Sequence, residues 1–172
     1  MAMPHKPDDD LFFDDDVLVF KAEEGDGGGL EPAPSESWTV LMVDDDDQVH
    51  QSTVLALGDE VVLGRRLVFL HAKSGREAIA MIGAGPAPDL AFVDMVMESA
   101  DAGLRFAQAA KADAAWGSMK ILLRSGQPGF SNEMEQARAI GVEGFAQKAS
   151  VSRAILIQAL CDLLSGKQYF MG

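Results

Sequence analysis

Four consecutive aspartates, Asp44 to Asp47, follow directly on the apolar run Val40-Leu41-Met42-Val43. Carboxylates this close repel one another unless a cation or a hydrogen-bond donor intervenes. A strand ending in them therefore predicts a hard-metal site of the Mg²⁺ kind. Asp94 closes a second apolar run, Leu90 to Val93; Ser125 closes a third, which starts at Lys120; and Lys148 follows a fourth, Val142 to Ala146. In an open parallel α/β sheet, ligands bind beyond the carboxyl ends of the strands, so these polar residues would share one edge. Asp44 and Asp45 together with Asp94 would make a divalent-cation cup. The Ser125 hydroxyl and the Lys148 ammonium on its far side suit an incoming phosphoryl group, a phosphoryl-transfer arrangement.

The elements that must position these residues are legible as five apolar runs of strand length, Thr39 to Val43, Leu67 to His71, Leu90 to Val93, Lys120 to Leu123 and Val142 to Ala146, with helical patterns between them. The pattern predicts five βα units. Because the strands read as continuously apolar, the sheet is expected to be parallel and covered on both faces. Ser74-Gly75-Arg76-Glu77 is a capping box ahead of the second helix, and Ser131 and Ser150 are candidate N-caps of the fourth and fifth. Asp46 and Asp47 suit the first turn of the first helix, where the dipole favours acidic residues, and are assigned no chemistry. The stripe Ile155, Leu156, Ala159, Leu160 and Leu163 marks the core side of the fifth helix and encloses the single cysteine, Cys161, as a packed small hydrophobe.

Charge divides the chain. Of its net charge of -13, residues 1–38 contribute eleven acidic and two basic side chains. Aspartate triplets and a Gly-rich stretch there cannot bury enough surface to offset chain entropy, so 1–37 is expected to be a disordered acidic tail. Its clusters Leu11-Phe12-Phe13 and Val17 to Phe20 form an acidic-hydrophobic alternation that a docking segment could use. Residues 38–166 are expected to form the folded domain and 167–172 a C-terminal stub. Without a basic footprint, nucleic-acid binding is not expected. No apolar stretch reaches the roughly 18 residues of a membrane span, and no signal peptide is apparent, so a cytoplasmic location is expected. His50 and His71 are read as structural, and His5 falls in the tail.

Over residues 38 to 165 the sequence resembles the receiver domain of two-component response regulators. The resemblance rests on Val40-Leu41-Met42-Val43-Asp44-Asp45, Pro88-Asp89-Leu90-Ala91-Phe92-Val93-Asp94, Ser125-Gly126 and Phe145-Ala146-Gln147-Lys148. A narrower likeness, carried by Val96 to Leu104 and Leu122 to Gly129, is to receivers at the front of proteins with an HD-GYP cyclic-dinucleotide phosphodiesterase domain. The resemblance implies a doubly wound, flavodoxin-like (βα)5 three-layer sandwich with strand order 2-1-3-4-5. It implies that Asp94 is the phosphoacceptor, attacking a phosphohistidine to form an acyl phosphate. Asp44, Asp45, Asp94 and the Val96 backbone carbonyl would hold Mg²⁺ or Mn²⁺. Lys148 would pair with a phosphoryl oxygen, or with Asp94 in its absence. Ser125 would swing toward the phosphoryl group and Phe145 would rotate inward after it. The implied partners are a sensor histidine kinase or a histidine phosphotransfer protein. The face of the fourth helix, fifth strand and fifth helix would switch partner binding or a homodimer.

Three positions depart from the family pattern. Ala149 stands where proline is usual after the lysine. Met97-Glu98 replaces Met-Pro, and the acidic-glycine turn is stretched to Asp101-Ala102-Gly103. Such a domain is not an enzyme in the usual sense, since it phosphorylates and dephosphorylates only itself. Two other readings stay open: a pseudo-receiver acting as a protein-interaction module, and a haloacid-dehalogenase-type phosphatase with Asp45 as nucleophile.

Overall fold

The computed structural model describes residues 37–126 and 131–171. The acidic tail expected at 1–37 lies outside them, apart from Ser37. The chain alternates strands β1 (Trp38–Val43), β3 (Arg65–Ala72), β4 (Leu90–Asp94), β5 (Lys120–Ser125) and β6 (Gly144–Gln147) with helices α1 (Asp47–Leu57), α2 (Gly75–Gly83), α3 (Ala102–Ala112), α4 (Ser131–Ile140) and α5 (Arg153–Leu164). These five strands run parallel in the order β3-β1-β4-β5-β6, which is the expected 2-1-3-4-5.

Two short strands that were not foreseen extend the sheet at both edges. β2 (Val61–Val62) folds back antiparallel on β3. Its two-residue turn has positive φ at both Leu63 (49°) and Gly64 (78°), the conformation that matches the twist of a tight hairpin. The Trp38 indole N–H donates to the Val62 carbonyl at 2.8 Å and ties the hairpin to β1. At the other edge, β7 (Tyr169–Phe170) pairs parallel with β6, and Tyr169 N–H and Met171 N–H donate to the Glu143 and Phe145 carbonyls. The segment read as a stub is therefore a sheet edge. A two-residue strand is too short to show a period in the sequence.

Strand alternation sorts the core into two layers. Leu41, Val43, Ala91, Val93, Ile121, Leu123 and Phe145 pack with Ala78 and Ile82 of α2, Phe106, Ala107 and Ala110 of α3, and Ala137 of α4. Val40, Leu90, Phe92, Leu122 and Ala146 pack with Leu57 of α1 and Leu156, Ala159, Leu160 and Leu163 of α5. Each fully buried Leu, Ile or Phe is worth about 1.5–3 kcal/mol relative to exposure. Several such residues directly below the strand ends suffice to hold carboxylates together there.

The capping expectation at Ser74 holds and the one for the fifth helix shifts, while the one at Ser131 concerns a side chain outside the described residues. Ser74 Oγ accepts from Glu77 N–H, while the Glu77 carboxylate takes the Lys73 N–H at 2.7 Å. The cap of α5 is Ser152, whose hydroxyl accepts from Ile155 N–H, and not Ser150. Ser150 is drawn into a short 3-10 turn, Lys148–Ser150. Among the described residues no helix is long and apolar enough to cross a membrane.

Candidate functional site

The same alternation that sends Val40, Phe92, Leu122 and Ala146 toward α1 and α5 places Asp44, Asp94, Arg124 and Lys148 in phase with them at the carboxyl ends of β1, β4, β5 and β6. Asp44 is wholly buried and Asp94 nearly so, whereas Asp45 is exposed. Carboxylate oxygens of Asp44, Asp45 and Asp94 lie within 4.8 Å of one another. At that range two like charges cost about 4 kcal/mol even at an effective dielectric near 20. Compensation is built in. Lys148 Nζ sits 2.7 Å from Asp94 Oδ2 and 3.1 Å from Asp44 Oδ2, and Arg124 Nη2 lies 3.3 Å from Asp44 Oδ2. Backbone donors complete the set, with Asp46 N–H on Asp44 Oδ1 and Val96 N–H on Asp94 Oδ1. Three carboxylates against two cations leave a net negative charge. An all-oxygen set of this kind fits a hard divalent cation.

Burial raises the Asp94 carboxyl above the ordinary carboxylate value. Lys148 pulls it back down, the Asp44 charge raises it again, and the Val96 N–H lowers it. Ser125, the last residue of β5, is fully buried. Phe145 is fully buried as well and already belongs to the core, so its ring stands inward in this structure rather than waiting outside. Val96 is half-buried directly beyond Asp94. Lys148 reaches the carboxylates from the 3-10 turn although Ala149 replaces the usual proline, and no cis peptide occurs among the described residues. Asp46 caps α1 by accepting from Gln48 N–H, and Asp47 pairs with Lys73, so neither faces the cup. Hydrogen bonding to Lys73 is the largest cause of the lowered Asp47 pKa.

Two residues of the site were missed in the sequence. Arg124 is only 3% exposed, and its guanidinium lies 5.7 Å from the Phe92 ring. Its signal was available: one basic residue inside an apolar strand, immediately before Ser125. His50, read as structural, is so, but its Nε2–H donates to the Asp44 backbone carbonyl at 2.7 Å, and its Nδ1 lies 2.9 Å from His71 Nδ1. It fixes the strand end that carries the cup. Nothing in the spacing of two lone histidines announces this.

No protein-family model matches the chain. It is 32% identical over 129 residues to 3'3'-cGAMP-specific phosphodiesterase 2 of Vibrio cholerae; the match takes in 75% of this chain and 25% of that protein. The chain thus spans about a quarter of the curated relative's length. Among solved structures, the chemotaxis response regulator CheY4 of Vibrio cholerae aligns over 73% of this chain and 97% of its own, with 23% identity and a TM-score of 0.60. A response regulator receiver domain protein from Clostridium thermocellum aligns over 74% and 94%, with 19% identity and a TM-score of 0.64. The described domain has the fold of response-regulator receiver domains.

Proposed function

We propose that this receiver domain takes a phosphoryl group onto Asp94 from a phosphohistidine of a sensor kinase or phosphotransfer protein. An Asp94 carboxylate oxygen attacks phosphorus, the P–N bond breaks with its electron pair returning to the imidazole, and an acyl phosphate remains. The observation that carries this reading is Lys148 Nζ at 2.7 Å from Asp94 Oδ2, inside a cup completed by Asp44 and Asp45. Asp44, Asp45, Asp94 and the Val96 carbonyl would hold Mg²⁺ or Mn²⁺. A metal held there would supply charge neutralisation at the phosphoryl group. Lys148, released as the Asp94 carboxylate loses its charge in the mixed anhydride, pairs with a phosphoryl oxygen instead. Ser125 supplies a hydroxyl at the adjoining strand end. The surface of α4, β6 and α5 reads the change out to a partner or a second copy, in the cytoplasm. The relative's name supports the narrower likeness to receivers attached to cyclic-dinucleotide phosphodiesterases.

Incubation with acetyl phosphate and Mg²⁺, followed by intact mass measurement, tests this. The chain should gain one phosphoryl group, Asp94→Asn should gain none, and chelation of the metal should abolish the gain. Labelling that persists in Asp94→Asn and maps to Asp45 would instead favour the phosphatase reading. An intact chain that neither binds Mg²⁺ nor labels would be a pseudo-receiver. Light scattering of the same labelled sample reports whether a dimer forms.

A further inference from the structure

Asp44 is buried with its own counter-ion. Arg124 comes from the strand next but one, and the β4–β5 register sets it directly beside Asp94. Its Nη2 reaches Asp44 Oδ2, its Nε has no hydrogen-bond partner among the described residues, and the whole side chain is 4% exposed. A guanidinium cannot shed its proton in a protein, so its burial is offset chiefly by the carboxylates it faces. The same Asp44 oxygen also receives Lys148, and the other oxygen accepts the Asp46 N–H. Both lone-pair sites of Oδ2, and one of the two on Oδ1, are therefore already engaged by donors of the chain itself.

We infer that Arg124 is a resident counter-cation of Asp44, a positioning residue that must yield Oδ2 before that oxygen can serve a metal, and so sets the metal affinity of the cup. This inference rests on the cation-binding reading of the cup. Room for the withdrawal exists: a cavity of about 240 Å³ between α1 and α5 opens beside the guanidinium and is lined by Thr53, Arg124, Lys148 and Leu156 among others. In the metal-free state Arg124 keeps Asp44 from repelling Asp94. In the metal-bound state the metal would compete with Arg124 and Lys148 for the same oxygen, and the buried guanidinium weakens the exchangeable cation.

Mn²⁺ titration followed by the electron paramagnetic resonance of the free ion tests this on the full chain, with Mg²⁺ calorimetry alongside. Arg124→Met should bind about tenfold more tightly than the parent, a change on the scale expected when a charge this close is removed. Arg124→Lys, which restores the charge, should return most of the weakness, as a purely structural role would not. Should Arg124→Met melt below the working temperature, Arg124→Gln keeps a donor to Asp44 without the charge and should show the same tightening. A folded neutral variant with unchanged or weaker affinity overturns the inference while leaving the cation site standing. Absence of binding in parent and variants alike overturns the cation reading and the inference together.

Discussion

At the scale of single residues, the energetics of the cup turn on Asp94. Burial is the main cause of its raised pKa, and the Lys148 partner only partly offsets it. The sign follows from linkage: a carboxyl whose folded pKa lies above the unfolded value contributes stability that is fully present below about 3.8 and is lost as pH rises through the folded pKa. At neutral pH the ionised Asp94 is thus a cost to folding, one that the proposed phosphoryl transfer would require, since it needs the carboxylate form. Asp94→Asn is expected to melt at a higher temperature than the parent at pH 7, with the difference closing as pH falls toward 4. Paired thermal melts across that range check it. A variant less stable than the parent at pH 7 would mean that the Lys148 contact outweighs burial.

At the scale of elements, the strand-to-helix connections set how accurately the carboxylates are held. The clearest case is the stretched turn after β4. Gly103, in the first turn of α3, donates its N–H to the Met95 carbonyl at 3.1 Å. A Cβ there would fall 2.2 Å from the Asp94 carbonyl oxygen and 2.8 Å from Met95 Cα, both backbone atoms that cannot step aside. The glycine is what allows α3 to dock on the backbone of Asp94 itself. Gly103→Ala should cost about 1–3 kcal/mol in urea denaturation. It should also slow labelling by acetyl phosphate, because the displaced backbone carries Asp94. Normal labelling in a destabilised variant would show that α3 moves and β4 does not. The opposite end of the sheet is pinned by Lys111, whose ammonium meets Glu143 Oε1 at 2.7 Å and the Met119 carbonyl at 2.8 Å, while Glu143 Oε2 accepts the Ile121 N–H.

At the scale of the molecule, residues 38–171 contain both core layers and the whole cup. A chain beginning at residue 37 should therefore fold with the same melting midpoint as the full chain. Its stabilisation by Mg²⁺ should match as well, about 2.7 kcal/mol when the free ion is about a hundredfold above its dissociation constant. Calorimetric melts of both chains with and without Mg²⁺ check this. A lower midpoint in the shorter chain would give the acidic segment a share in the fold.

What the sequence determined by itself was the alternation of apolar runs with helical patterns and the polar residues placed at the ends of those runs. Local covalent order fixes both: a strand period of two and a carboxylate directly after it put Asp44 and Asp94 at one sheet edge once the strands are parallel. Asp46 and Asp47 could be separated from the cup by the same local reasoning, because an N-cap and a first helical turn are settled within four residues. Tertiary structure alone decided the short edge strands β2 and β7, whose two-residue lengths carry no period. It also decided that Ser152 rather than Ser150 caps α5, that Phe145 stands inward, and that Arg124 lies beneath Asp44, eighty positions earlier in the chain. A charge in an apolar strand reads as an anomaly in one dimension. Only the packing that buries it against a particular carboxylate shows what it balances.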